Sequence, residues 1–214
     1  SGKTSTLYSA LQGINKENLN IMTVEDPVER HFEGIRQVNI NNSAGLTFPG
    51  VVRSFMRQDP DVIMAGEIRD NETAGLLIQA ALTGHLGLST LHTSDSASTF
   101  ARLIDMGVEP FLVSSSILGV CSQRLVRRVC EKCKEQYEPL PELLRDLGLD
   151  KYIGTGIKFT RGRGCESCSG SGYKGRIGIY EILLMSAVIQ ELILKRAPVE
   201  GIRAAAVSQG LITL

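Results

Sequence analysis

The first four residues, Ser1-Gly2-Lys3-Thr4, end in the amine and hydroxyl that close a phosphate-binding loop of the pattern G-x-x-x-x-G-K-[ST]. Backbone N–H groups of such a loop cradle phosphates at a helix N-terminus. Lys3 would reach the β- and γ-phosphates of ATP, and the Thr4 hydroxyl would ligate Mg²⁺. The first half of the loop is then expected upstream of Ser1. Four residues of this kind also recur by chance, so the assignment needs an independent second segment.

Residues 61–70, DVIMAGEIRD, supply it. An apolar strand runs into Gly66-Glu67, and a helix starts at Asp70. A Walker B element is built this way, with the strand delivering a carboxylate to the sheet's C-terminal edge. Gly66 stands where most such elements carry a Mg²⁺-ordering aspartate. Glu67 is therefore the candidate to orient or deprotonate an attacking water, or to hold Mg²⁺ through water. The alternative is a helix-capping turn with a solvated glutamate. Arg53 and Arg57 stand four apart on one expected helix and so share a face. Beside a nucleotide, that face would stabilise transferring phosphate charge. Otherwise it is a solvated basic face with local ion pairs.

Four of the five cysteines form two pairs, Cys130-x-x-Cys133 and Cys165-x-x-Cys168, and Cys121 is left over in an apolar stretch. Four thiolates make a closed tetrahedral Zn²⁺ site with no position open to substrate, so the role is structural. The pairs are 31 residues apart, longer than the usual short pattern. A redox pair and an iron–sulfur cluster are the rival readings. Basic residues around the pairs, such as Arg127, Lys132, Lys174 and Arg176, either meet an acidic partner or balance the charge of the metal centre.

These groups need elements to hold them. Buried strands are expected at 20–25 and 61–66, a third strand at 86–91 and an alternating strand at 35–40. Helices are expected at 4–12, 47–58, 70–83, 95–106 and 110–122. Thr47 and Pro49 start one of them, Asp70 caps another, and Gly84 stops it. A short helix is expected near 141–149 inside the cysteine region. Alternation of strands with helices predicts an α/β fold with a mostly parallel sheet covered on both faces. The expected domains are 1–129, the nucleotide core; 130–175, a metal-stapled subdomain; and 176–214, a helical part that ends on an apolar run as though cut.

Basic and acidic residues balance at 23 each, and only 5 % of residues are aromatic, with no tryptophan. A nucleic-acid motor would want a basic field and stacking platforms, so no nucleic-acid partner is expected. No apolar run is long enough to span a membrane.

Three further segments join the two nucleotide motifs: Val24-Glu25-Asp26-Pro27-Val28-Glu29, residues 83–93 (TGHLGLSTLHT), and the run from Gly164 to Glu181. Together and in this order they resemble the aspartate box, the histidine box and the late zinc-and-glycine region of the type II secretion and type IV pilus-assembly ATPases. These belong to the secretion-motor branch of RecA-like P-loop proteins. The resemblance covers nearly the whole chain. It implies Glu25 acting on water or Mg²⁺, and His92 and His85 sensing or binding nucleotide. It also implies that Arg53, Arg57 and Arg69 support hydrolysis. A strand-end carboxylate and satisfied structural histidines are the plain alternatives. The resemblance further implies a cytoplasmic homohexamer, peripheral at the inner membrane through a platform protein, that spends ATP on assembly or secretion. Pilus-retraction relatives lack the four-cysteine module, which favours an assembly or secretion motor. A nonenzymatic nucleotide- and zinc-binding module is the alternative from another class.

Overall fold

The structure, a computed structural model, describes residues 2–214. Gly2 lies in the left-handed region, with φ 79°, and leads into α1 (Lys3–Ile14). Next come β1 (Ile21–Glu25), β2 (Ile35–Asn39), α2 (Phe48–Phe55), β3 (Val62–Ala65), α3 (Asn71–Leu82) and β4 (Leu86–Ser89). The four strands form one sheet in the order β2-β1-β3-β4, and all neighbours run parallel. Val24 lies level with Ala65, and Ala65 with Ser89.

Alternation along each strand divides the core between two faces. Met22, Val24, Ile63 and Ala65 pack against Phe48, Val51, Val52 and Phe55 of α2 and against Leu77 and Ala80 of α3. Ile21, Val62 and Met64 pack against Tyr8 and Leu11 of α1. With both faces covered, β1 and β3 are buried at every position, and β3 reads as a continuous apolar run. At eight residues, α2 is too short to persist alone. Its buried positions fall at i, i+3, i+4 and i+7, and each contributes roughly 1.5–3 kcal/mol on burial.

The caps fall where the residue types require. The Thr47 hydroxyl accepts from the Gly50 amide at 3.3 Å, with Pro49 in the first turn. Asp70 accepts from the Thr73 amide at 2.7 Å, and Gly84, with φ 98°, turns the chain out of α3. The helix expected over 47–58 stops earlier, at Phe55. Asp59 takes φ 51° and Pro60 follows, so the chain turns toward β3 instead of continuing.

The chain continues through α4 (Ala97–Asp105), α5 (Pro110–Ser116), β5 (Gly119–Val129), β6 (Lys134–Tyr137), α6 (Pro141–Asp146), β7 (Phe159–Gly162) and β8 (Tyr173–Leu184). It closes with α7 (Ala187–Leu194) and α8 (Val199–Ser208). β5 and β8 form a two-stranded sheet, and β6 pairs antiparallel with β7. Two expectations are corrected here. The helix expected over 110–122 ends at Ser116, and residues 119–129 are strand. The segment from 176, expected to be helical, is strand as far as Leu184.

Two compact units result. One comprises the residues up to Arg124 together with Tyr180–Leu214, the other Leu125–Ile179. In the first unit a third cluster joins α3, α4, α5, α7 and α8 around Phe100, Val113, Leu183, Ile189 and Ile193. No described helix is long and apolar enough to cross a membrane.

Candidate functional site

In a parallel sheet the loops that leave the strands' C-terminal ends gather along one edge. Here β1 ends at Glu25 before Asp26, β3 ends before Gly66-Glu67, and β4 leads to Thr90, Leu91 and His92. Two contacts stitch these loops together. The Thr90 hydroxyl donates to the Gly66 carbonyl at 2.9 Å, and the Ile68 amide donates to the Thr90 carbonyl at 2.9 Å.

Lys3, His92, Glu67, Arg69 and Asp26 make one chain of contacts across this edge. Lys3 Nζ donates to the Leu91 carbonyl at 3.2 Å and approaches His92 Nδ1 at 3.4 Å. His92 Nε2 lies 3.3 Å from Glu67 Oε2. Arg69 Nη2 is 2.5 Å from Glu67 Oε1, and Nη1 is 3.4 Å from Asp26 Oδ2. An ammonium can only donate and an ionised carboxylate can only accept. Between these neighbours Nδ1 faces a donor and Nε2 an acceptor. The Arg69 guanidinium holds the Glu67 carboxyl below its usual range; burial opposes this and His92 adds to it. Glu67 is thus a proton acceptor at neutral pH.

The N-terminus of α1 points into this cluster. No side chain among the described residues caps its first turn, so first-turn amides are available to an anion. Lys3 and Thr4 are the first two residues of the helix, both half-buried. The Thr6 hydroxyl bonds to the Gly2 carbonyl at 3.2 Å and to Gln123 Oε1 at 2.8 Å, which fixes this turn. The donor set suits a nucleotide with Mg²⁺: a lysine amine, a hydroxyl, free helix amides and an ionised carboxylate. Ser1 lies outside the described residues.

Glu25 is buried under α1. Its carboxylate takes hydrogen bonds from the Tyr8 hydroxyl, from Thr23 Oγ1 at 2.6 Å and from Gln37 Nε2 at 3.1 Å. Burial raises the Tyr8 pKa, and the bond to Glu25 adds to the rise. Gly66 lies alongside: a Cβ there would sit 3.5 Å from the Val24 carbonyl and 3.8 Å from Glu25 Cγ. An alanine fits at ordinary contact, whereas an aspartate would bring a second carboxylate beside Glu25.

Three candidates lie elsewhere. Arg53 pairs with Glu72 at 2.5 Å. Arg57 lies past the end of α2 and donates to the Arg53 carbonyl at 3.1 Å, so the two do not share a helical face. His85 precedes β4, at the sheet edge opposite His92. Its Nδ1 lies 2.8 Å from the Ala80 carbonyl and closes the end of α3. Conversely, Asp26, Tyr8, Thr23 and Gln37 were not singled out by the sequence. Asp26 adjoins Glu25 in a motif already noted, and Thr23 follows from the strand's two-residue period. Tyr8 and Gln37 left no local signal.

In the second unit the four cysteines converge, all sulfurs within 4.8 Å of one another. Cys130–Cys165 and Cys133–Cys168 are 3.9 Å apart, and Cys165–Cys168 3.7 Å. These distances are far beyond a disulfide bond of about 2.05 Å. They match the edges of about 3.8 Å that a sulfur tetrahedron takes around Zn²⁺ with bonds of about 2.3 Å. Amides of Cys165 and Gly172 point at Cys168 Sγ, at 3.2 and 3.3 Å. Burial pushes both Cys133 and Cys168 up. At Cys133 the neighbouring thiols add to it, giving about 12; at Cys168 the two amides and the Cys165 and Cys133 thiols outweigh it, giving about 6. The cluster fits the metal: four sulfur donors within reach of one ion, closed to substrate.

Comparison with known proteins follows the same lines. A family profile described as "Type II/IV secretion system protein" matches residues 1–213. The type IV pilus assembly ATPase PilB of Thermus thermophilus is 50 % identical over 214 residues, 100 % of this chain and 24 % of that one. The type II secretion system protein E of Pseudomonas aeruginosa is 50 % identical over 193 residues, 90 % of this chain and 38 % of that one. The chain thus spans about a quarter to two-fifths of the length of these curated relatives. The crystal structure of the pilus retraction motor PilT with bound ADP superposes with a TM-score of 0.65 at 27 % identity, covering 100 % of this chain and 56 % of that one. The chain belongs to the family of type II/IV secretion system proteins.

Proposed function

We propose that this chain is the hydrolytic part of a RecA-like, P-loop Mg-ATPase that works as a cytoplasmic homohexamer and powers pilus assembly or protein secretion. One observation carries the reading: Lys3, His92, Glu67 and Arg69 meet at the C-terminal edge of a parallel sheet, in front of an uncapped helix N-terminus. Relatives named for pilus assembly and for secretion are both 50 % identical, so the proposal spans both machines.

Each residue then has a task. Lys3 and the first amides of α1 bind the β- and γ-phosphates. Thr4 Oγ1, and Glu67 through water, would hold Mg²⁺, which supplies charge neutralisation across the phosphates. Glu67, ionised and half-buried, orients the attacking water and accepts its proton. His92 presents its Nε2–H as a donor and moves toward phosphate when Lys3 does. Glu25 orders water or Mg²⁺ from beneath. Arg69 steadies Glu67. Arg53, Arg57 and His85 do not reach Glu67 in the same chain. We assign them to a neighbouring protomer's nucleotide in the ring, where shared charge stabilisation makes assembly necessary for turnover. The cysteine unit holds one structural Zn²⁺, and an inner-membrane platform protein receives the motion.

The test is ATP turnover by the protein extended upstream of Ser1 to the length of its relatives, with zinc quantified. Mg²⁺-dependent hydrolysis that collapses in Glu67→Gln is expected, with about one zinc per chain. An assembled, zinc-loaded, nucleotide-bound ring without turnover would replace the motor with a binding module.

A further inference from the structure

His92 is held loosely by its own side chain. The ring is 75 % exposed, and its contacts to Lys3 and Glu67, at 3.4 and 3.3 Å, are long for hydrogen bonds. The backbone that follows must therefore set where the imidazole sits.

That backbone is pinned residue by residue. Thr93 Oγ1 is 3.0 Å from Thr99 Oγ1. The Ser94 carbonyl accepts from Arg124 of β5 at 3.3 Å. Asp95 accepts from the Ser98 amide at 2.8 Å, capping α4, and pairs with Arg203 of α8 at 2.7 Å. Ser96, fully buried, donates both its amide, at 2.8 Å, and its hydroxyl to Glu181 of β8. Ser96 occupies the N-cap position of α4, yet its hydroxyl makes no cap there.

Glu181 is the unusual member. It is 4 % exposed, and none of the ion pairs among the described residues includes it. Its second oxygen accepts from the Leu214 amide at 3.2 Å. Burying a carboxylate without a cation is costly, and an apolar side chain would serve stability better. Two of its three hydrogen bonds come from Ser96, on the backbone segment that carries His92.

We propose that Glu181 is a positioning residue for His92. It fixes the far end of the turn that carries the imidazole to Lys3 and Glu67, so β8 and the helices packed with it set the geometry of hydrolysis. The inference rests on reading that cluster as the hydrolytic site.

The test uses the upstream-extended protein with Glu181→Ala, Glu181→Gln and Ser96→Ala. Glu181→Ala is expected to lower kcat roughly 10- to 100-fold with KM for ATP within about twofold, because misplacement costs rate rather than binding. Glu181→Gln keeps one carbonyl oxygen for Ser96 and should recover most of the loss. Hydrogen exchange should quicken at 93–99 and stay unchanged in β1 and β3. A Glu181→Ala protein with quickened exchange but wild-type kcat would overturn the proposal. So would loss of protection throughout the sheet in both Glu181→Gln and Ser96→Ala. If Glu181→Ala fails to fold, Ser96→Ala carries the same kinetic expectation. If the parent protein does not hydrolyse ATP, the functional reading fails by itself. Exchange at 93–99 then decides the positioning alone, and an unchanged rate in Glu181→Ala overturns it.

Discussion

Replacing Tyr8 with phenylalanine isolates what holds Glu25 in place. The ring stays, packed edge-on against Phe32 at 4.9 Å, so the apolar contribution is kept. Two hydrogen bonds go. The hydroxyl donates to the buried Glu25 carboxylate and accepts from the Glu29 amide at 3.1 Å. A bond to a charged group contributes about 1.5–3 kcal/mol, and an ordinary one about 1 kcal/mol. Thr23 and Gln37 still donate to Glu25, so the carboxylate is weakened but not orphaned. The expected loss is about 2–4 kcal/mol. In a chain of this size that lowers Tm by roughly 4–16 °C. Burial and Glu25 raise the Tyr8 pKa above its ordinary value of 10.0. A raised folded pKa contributes stability below the unfolded pKa and loses it as pH rises through the folded value. The wild type should therefore show an alkaline decline starting near pH 10 that the phenylalanine variant lacks. Urea melts followed by exchange in β1, at pH 8 and pH 11, measure both effects. Equal midpoints for the two proteins at pH 8 would refute the idea that Glu25 depends on Tyr8.

Gly66→Ala should be tolerated within about 1 kcal/mol, while Gly66→Asp, which places a carboxylate against Glu25, should cost about 2 kcal/mol or more in a urea melt. Gly162→Ala would drive its Cβ into the Gly172 backbone. Zinc content should fall to none and exchange protection in β6 and β7 should collapse, with β1 and β3 still protected. Arg69→Ala should move the Glu67 carboxyl up toward its ordinary range. A depressed carboxyl pKa gives stability above the unfolded value, lost as pH falls through the folded one. Acid titration of the variant should lack that component below about pH 4.5.

The parts of the fold legible in the sequence are those with one-sided or fully buried patterns. β3 is apolar at every position and β1 at three of five because both sheet faces are covered, and α3 carries both its cap and its stop. The cysteine pairs declare their convergence by spacing. β8 did not read as strand because its pattern is inverted. Tyr180, Ile182 and Leu184 are exposed while Glu181 points inward beside Leu183. A buried glutamate between an exposed tyrosine and an exposed isoleucine looks like neither a half-buried strand nor a turn. The strand β5 is exposed or half-exposed throughout, so its alternation is faint. The Lys3–His92 contact joins residues 89 apart, which no local pattern reveals. Arg53 and Arg57 were placed on one face by counting, but Asp59 and Pro60 end the helix before the count applies.

The level alignment of Val24, Ala65 and Ser89 across the sheet sorts sequence change into two kinds. Inserting or deleting one residue inside β1, β3 or β4 shifts everything beyond it by about 3.3 Å and turns each side chain to the opposite face. Glu25 would then leave Tyr8, or Glu67 would leave His92, and no compensating substitution nearby could restore them. The stretches that enter the strands at the other edge carry no such constraint: residues 15–19, between α1 and β1, can lengthen or shorten while the strand ends stay level. Within this lineage, drift in length should therefore collect in the connections on the far side of the sheet, and the strands should change only by exchange of one side chain for another.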